Sequence, residues 1–303
     1  MRRKVIQIAN STLLVSLPKK WADECHVKKG DEVEIEISGT NITVHTDSKP
    51  SVEHAEMHLD DFGVMGPRAI FALYKKGVDE IKIRFDKPED FQIVQQSLKN
   101  ETMGYEVIEQ GSDFCVIRNV SGQTEEFDSI LRRTFLLLIT MSSEGLAALR
   151  KKDMVSLKNV EHLEQSNNRL TTICRRYLNK MGKSHYSKIG PLYAIIEELE
   201  KIADEYKYMF QFLGSQQKVE LSKEFFDIYS ATHGMFHSFY ELFYKFNAER
   251  LADLGAQRRS LVGRCINIMQ KSKSREEVMA THHLFIIMER IFDTTGPYMI
   301  LVI

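Results

Sequence analysis

Several things are scarce in this 303-residue chain, and each scarcity excludes something. There are four cysteines, Cys25, Cys115, Cys174 and Cys265, far apart and with no C-x-x-C pair. That rules against a disulfide scaffold and a thiolate zinc site, and fits free thiols in a reducing compartment. Long apolar runs are missing. The stretch Phe135 to Met141 is far too short to span a bilayer, so no membrane insertion is expected. Met1-Arg2-Arg3-Lys4 leads into a strand pattern rather than an apolar segment, so no secretory leader is expected and the location reads as cytoplasmic. No P-loop, G-x-G-x-x-G, G-x-S-x-G, H-E-x-x-H or Glu-x-x-His occurs. Nucleotide hydrolysis, nucleophilic catalysis and ferritin-like di-iron chemistry therefore lack their motifs, and the chain reads as a non-enzyme. Net charge is −1. This argues against coating a polyanion over the whole surface and leaves room for a local basic patch.

Such a patch opens the chain. Residues 1–20 hold five Lys/Arg and no Asp/Glu, whereas residues 21–50 hold three against seven. The same region alternates as strands. Val5-Ile6-Gln7-Ile8 is followed by a turn at Asn10-Ser11 and by Leu13 to Leu17, which Pro18 stops. A short helix starts at Lys19. Gly30-Asp31 then leads into Glu32 to Ile37, and Gly39-Thr40-Asn41 into Ile42 to Val44. A unit this small makes a poor core alone and calls for a second copy to cover its edges.

The order V-S-L-P-K-K-W followed by V-K-K-G-D-E-V-E-I-E-I resembles the AbrB/SpoVT family of swapped-hairpin β-barrel dimers. The resemblance implies a homodimer whose bases contact double-stranded DNA. By position these are Arg2, Arg3, Lys4, Lys19 and Lys20. The same charges also suit the solvated surface of a module that only dimerises.

Three regions are expected: 1–47 as this dimerisation and DNA-binding domain, 53–120 as a small α+β domain, and 126–303 as a helical bundle. Residues 45–52 and Ser121-Gly122-Gln123 mark the boundaries. In the middle region the pattern predicts a helix from Arg68 to Lys76 and a strand at Ile81–Phe85. A further helix follows from Pro88 to Lys99, then a hairpin of Tyr105–Ile108 with Phe114–Ile117. Beyond it only Pro191 and Pro297 occur. Apolar residues recur at three and four, predicting helices over 126–152, 155–181, 189–213, 221–247, 249–272 and 275–302. Their short connections imply antiparallel neighbours.

The third and sixth of these helices share a motif 89 residues apart, Leu199-Glu200-Lys201-Ile202-Ala203-Asp204 and Met288-Glu289-Arg290-Ile291-Phe292-Asp293. An i, i+4 pair of carboxylates lies on one helix face, where mutual repulsion favours a hard divalent or iron cation between them. The bland reading is a solvated helix face. The duplication resembles PhoU, the phosphate-uptake regulator family, built as six helices in two three-helix repeats with E-x-x-x-D motifs that can hold metal clusters. The resemblance makes Glu200, Asp204, Glu289 and Asp293 the candidate metal ligands. A second acidic motif of that family is eroded here. It reads Glu164 with Asn168 in the first repeat and carries no acid over 254–261 in the second. His233, His237 and Glu241 have ligand spacing too, but their helix is crowded with aromatics, which favours packing.

The whole arrangement is multidomain α+β and looks like archaeal PhoU-type regulators. It implies a dimeric, DNA-binding regulator of phosphate uptake whose bundle senses metal or docks on a phosphate transporter ATPase or a signalling kinase. The alternative is an adaptor that docks on such a protein without touching DNA.

Overall fold

A computed structural model describes residues 2–8, 12–46, 52–120, 127–185 and 188–303. Contacts divide the chain into two compact units, Met1–His54 and Ala55–Ile303. The turn at Asn10-Ser11, most of the first boundary and Ser121-Gly122-Gln123 lie outside the described residues.

The first unit contains two separate antiparallel hairpins. In one, β1 (Ile6–Ile8) pairs with β2 (Thr12–Leu14), with Gln7 opposite Leu13. In the other, β3 (Glu34–Ser38) pairs with β4 (Asn41–His45) around Gly39, whose φ of 58° suits the tight turn. Helix α1 (Lys19–Glu24) lies between them in sequence and starts directly after Pro18. None of the described residues in 2–46 is buried.

The second unit has two hydrophobic cores. The smaller belongs to a four-stranded sheet of order β5-β6-β8-β7, made from β5 (His54–His58), β6 (Glu80–Arg84), β7 (Tyr105–Gln110) and β8 (Phe114–Asn119). Helices α2 (Gly66–Lys76) and α3 (Phe91–Glu101) accompany it. Alternation on β6 sends Ile81 and Ile83 into a core shared with Ile70, Tyr74, Val94 and Ile117. Gly77, left-handed at φ 106°, ends α2 at the stop its sequence predicts. Strand β5 and the 3-10 turn Leu59–Met65 are additions to the expected elements. The expected helix from Pro88 begins as a 3-10 turn, Pro88–Asp90, before α3.

The larger core belongs to the helices α4 (Phe127–Lys151), α5 (Met154–Glu161), α6 (Leu163–His185), α7 (Ile189–Gly214), α8 (Lys223–Tyr244), α9 (Ala248–Lys271), α10 (Arg275–Asp293) and α11 (Thr295–Val302). Two of the six expected helices are therefore broken. The expected 155–181 helix divides at His162, whose amide turns back to Asn159 O at 3.2 Å. It then runs on through Gly182–Ser184, where the sequence suggests a stop. The expected 275–302 helix divides at Thr294. Pro297 removes the amide that would reach Asp293, and the hydroxyls of Thr294 and Thr295 donate to Ile291 O and Phe292 O at 2.5 and 2.6 Å.

Aromatics of α8 pack inward as their spacing suggests. Phe225, Tyr229, Phe236 and Phe239 are fully buried, and Phe135 of α4 meets Phe236, Phe239, Tyr240, Phe243 and Tyr244 with ring centroids 5.1–6.3 Å away. Gly145 lets α4 approach this layer. A β-carbon there would stand 2.2 Å from Phe210 Cζ and 2.9 Å from the Tyr229 hydroxyl, and both rings are buried. Gly145→Ala, which would ordinarily favour a helix, is expected to destabilise by about 1–3 kcal/mol. A fall in urea midpoint at unchanged m-value checks this.

Polar side chains of α6 join the two cores. Arg176 of α6 is 7% exposed and reaches into the sheet layer. Its Nη1 donates to Tyr74 O at 2.9 Å and Val78 O at 2.6 Å, and its Nη2 to Asp79 at 2.7 Å. The guanidinium carbon stands 4.8 Å from the centre of the Tyr74 ring. Lys180, one turn on, also donates to Asp79.

Candidate functional site

In the first unit, Arg2, Arg3 and Lys4 form an exposed segment leading into β1, and Lys19 and Lys20 open α1 on the surface. Lys20 lies 3.8 Å from Glu24, a loose pair one helical turn away. Both hairpins leave large apolar side chains in water, among them Val5, Ile6, Ile8, Leu13, Leu14, Val15, Ile35, Ile37 and Ile42, the last 68% exposed. A two-stranded hairpin is marginal by itself, and an apolar surface of this extent marks an interaction face.

The bundle places each of the four motif acids differently. On α7, Glu200 accepts from Thr171 Oγ1 at 2.6 Å and from Arg175 Nη2, both on α6. Arg175 is 1% exposed and also lies 2.8 Å from Glu197 through Nε. Asp204 accepts from Lys207 Nζ at 2.7 Å, and that ammonium donates equally to Glu164 at 2.8 Å. The amide of Asn168 donates to the same Glu164 carboxylate at 2.5 Å. Glu101, from α3, faces this group: burial raises its pKa first, Lys75 opposes, and Glu200 and Glu164 add to the rise. Burial likewise raises Glu164, against the pull of Lys207.

In the second repeat, Glu289 takes a forked pair from Arg258 of α9, Nε at 3.0 Å and Nη2 at 2.7 Å. Asp293 has a raised pKa, from burial first and then from Glu198. Glu198 itself lies 3.4 Å from Arg290 and 2.7 Å from Lys201.

Three of the four acids thus face guanidinium or ammonium groups directly. A divalent ion entering there would meet a fixed positive charge and would have to displace it before using the same lone pairs. The donor set as arranged is complementary to arginine and lysine and does not fit a multinuclear metal cluster. The sequence already marks the Arg258 stretch as lacking acid. Arg175 and Thr171, 25 and 29 residues from their partner, give no local signal.

Among the described residues, one group of three potential ligands converges elsewhere: His58, Asp60 and Asp86, with ligand atoms within 4.8 Å of one another. His58 stands 3.7 Å from Asp60 and 3.4 Å from Asp86, and the Asp86 amide donates to Asp60 at 3.0 Å. This ties the 3-10 turn to the loop after β6. His233 and His237 do not form a comparable set: His237 lies 3.6 Å from Glu241, while burial lowers the pKa of His233. Three cysteines are buried, and desolvation pushes Cys115 and Cys265 up to about 11 and Cys174 up to about 12. They are packing groups rather than nucleophiles.

Residues 6–51 match the MazE antitoxin family model. Its description is antidote-toxin recognition MazE, bacterial antitoxin. The match covers the two hairpins and α1. No curated protein matches the chain. Among solved structures, the chain is similar to the phosphate transport system regulatory protein PhoU from Streptococcus pneumoniae. Identity is 13% and the TM-score 0.44, over 58% of this chain and 92% of that one. No described helix is long and apolar enough to cross a membrane.

Proposed function

We propose that the chain is a dimeric DNA-binding regulator of phosphate homeostasis, non-enzymatic and cytoplasmic. On this reading the first unit reads DNA and the bundle senses state or docks on a transporter ATPase or signalling kinase. The observation that carries the DNA assignment is the exposed basic segment Arg2–Lys4, with Lys19 and Lys20, on a unit whose hairpins leave their apolar faces uncovered. A second copy interleaving its hairpins would cover those faces in a closed barrel and present two such basic segments. The phosphate assignment is supported by the duplicated E-x-x-x-D motif and the family it resembles. The motif acids act in this proposal through their internal ion pairs, and divalent or iron metal in the purified protein is expected below one equivalent per chain by elemental analysis.

Fluorescence anisotropy with duplex DNA from the protein's own upstream region, across a salt series and against random duplex, tests the output. Wild type is expected to bind with a steep salt dependence. Replacing Arg2, Arg3 and Lys4 by glutamate should weaken binding at least tenfold and flatten the slope by about 0.9 for each phosphate no longer neutralised. Unchanged affinity and slope would remove DNA from the proposal.

A second reading has its own support. The matched family is described by antidote–toxin recognition, which is recognition of a protein. An adaptor would bind its protein partner at high salt and ignore duplex DNA at low salt, so the same titration separates the two.

A further inference from the structure

In the second unit, the ends of two neighbouring strands bring a histidine and two aspartates together. His58 closes β5, Asp60 lies in the 3-10 turn that follows, and Asp86 comes just after β6, the strand next to β5 in the sheet. Glu56 meets Arg84 and His58 meets Asp86, so the two strands advance in step and end together. Ligand sites gather at such carboxyl ends of parallel strands. One nitrogen of His58 and one oxygen of each aspartate lie within 4.8 Å of one another. Nδ1 of His58 is closed off from water and makes no hydrogen bond. It faces Asp60 at 3.7 Å, and Nε2 faces Asp86 at 3.4 Å, both longer than a good N–H···O bond.

We infer that His58, Asp60 and Asp86 bind a divalent transition ion of the zinc class. Two ligands of a tetrahedral zinc ion, with bonds of about 2.1 Å, stand about 3.4 Å apart, close to the spacing found here. An imidazolium held between the two carboxylates would draw both to hydrogen-bond distance, which neither reaches. Imidazole nitrogen beside carboxylate oxygen suits zinc better than magnesium or calcium, which take oxygen ligands. The charge test that the motif acids fail is passed here. Among the described residues no lysine or arginine pairs with Asp60 or Asp86, and Arg84 is committed to Glu56 at 2.6 Å. No fixed cation has to be displaced. The Asp86 side chain is 69% exposed, so the ion enters from solvent and keeps water in its remaining position. Three ligands this open make an exchangeable site, filled when the ion is supplied and emptied by purification. The bound ion clamps the turn Leu59–Met65 to the loop after β6. The inference is independent of the proposed function, because none of the three residues lies in the first unit or in the E-x-x-x-D motifs.

Titration of the chelator-treated full chain with Zn²⁺, in competition with a fluorescent zinc chelator, tests it. A saturable equivalent of micromolar affinity is expected. H58A and D86N should each weaken that equivalent at least tenfold. H237A, which removes the histidine beside Glu241 on α8, should leave it unchanged. Magnesium in large excess should not compete. Hydrogen exchange gives a second readout: zinc should raise protection across 59–65 and 85–87 in wild type and leave D86N unmoved. Circular dichroism and Tm confirm that each variant is folded, and D86N, at an exposed position, decides if H58A is not. The inference is overturned if no zinc binds up to high micromolar concentration, if folded H58A or D86N binds as wild type does, or if magnesium displaces the zinc. Zinc bound without added protection at 59–65 and 85–87 would overturn it as well.

Discussion

Arg176→Ala is expected to loosen the sheet layer from the bundle without unfolding the bundle itself. The side chain supplies three hydrogen bonds and a cation–π contact in a place with little water. Truncating it removes the donors for Tyr74 O, Val78 O and Asp79 together. Gly77 N still reaches Tyr74 O at 3.0 Å, the Tyr105 hydroxyl still reaches Val78 O at 2.6 Å, and Lys180 still holds Asp79. The loss is therefore put at about 3 kcal/mol, the lower end for breaking a buried charged network. Amide hydrogen exchange reads it directly: β6 and β8 should lose protection while α7 and α10 keep theirs. Arg176→Lys should fall between, because an ammonium cannot span two carbonyls and a carboxylate as a fork does. Equal protection in all three proteins would mean that Arg176 is not what holds the two layers together.

The neighbouring arginine should behave differently. Arg175→Met is expected to destabilise the bundle by about 3–5 kcal/mol, because it removes the buried cation between Glu197 and Glu200. Two carboxylates then face each other with Thr171 as the remaining donor to Glu200. The informative measurement is the melting temperature of this variant with and without millimolar Mn²⁺ or Mg²⁺. Recovery of most of the lost Tm, absent in wild type, would show that a mobile cation can stand where the guanidinium stands. A variant equally unstable with and without metal would mean that the site has no capacity for one.

These two residues also show where reading the sequence stops. The periodic signals are local and hold. Phe225, Tyr229, Phe236 and Phe239 of α8 are buried, Gly77 ends α2, and Leu199, Ile202, Met288 and Ile291 of the two motif copies are fully buried. What the sequence does not place are partners set by tertiary packing. Arg176 and Asp79 are 97 residues apart, and Arg258 and Glu289 are 31 apart on different helices. No spacing rule connects such pairs. The helix breaks at His162 and Thr294 are hidden for a different reason: both residues keep right-handed helical dihedrals, so the periodic pattern runs through them undisturbed. Strand β5, His54-Ala55-Glu56-Met57-His58, carries two histidines and a glutamate around one buried methionine. That is too weak an alternation to register.

The uncovered hairpins have a consequence for dosage. On the proposed dimer, a unit with no buried residue among those described gains its burial from the second copy, so its folding is second order in protein. Halving the number of copies then lowers the assembled fraction as well as the total. On that proposal the protein reads its own abundance: below a threshold set by the dimer dissociation constant, the first unit comes apart and becomes a substrate for proteolysis. Synthesis rate and dilution by growth then become inputs alongside whatever the bundle detects.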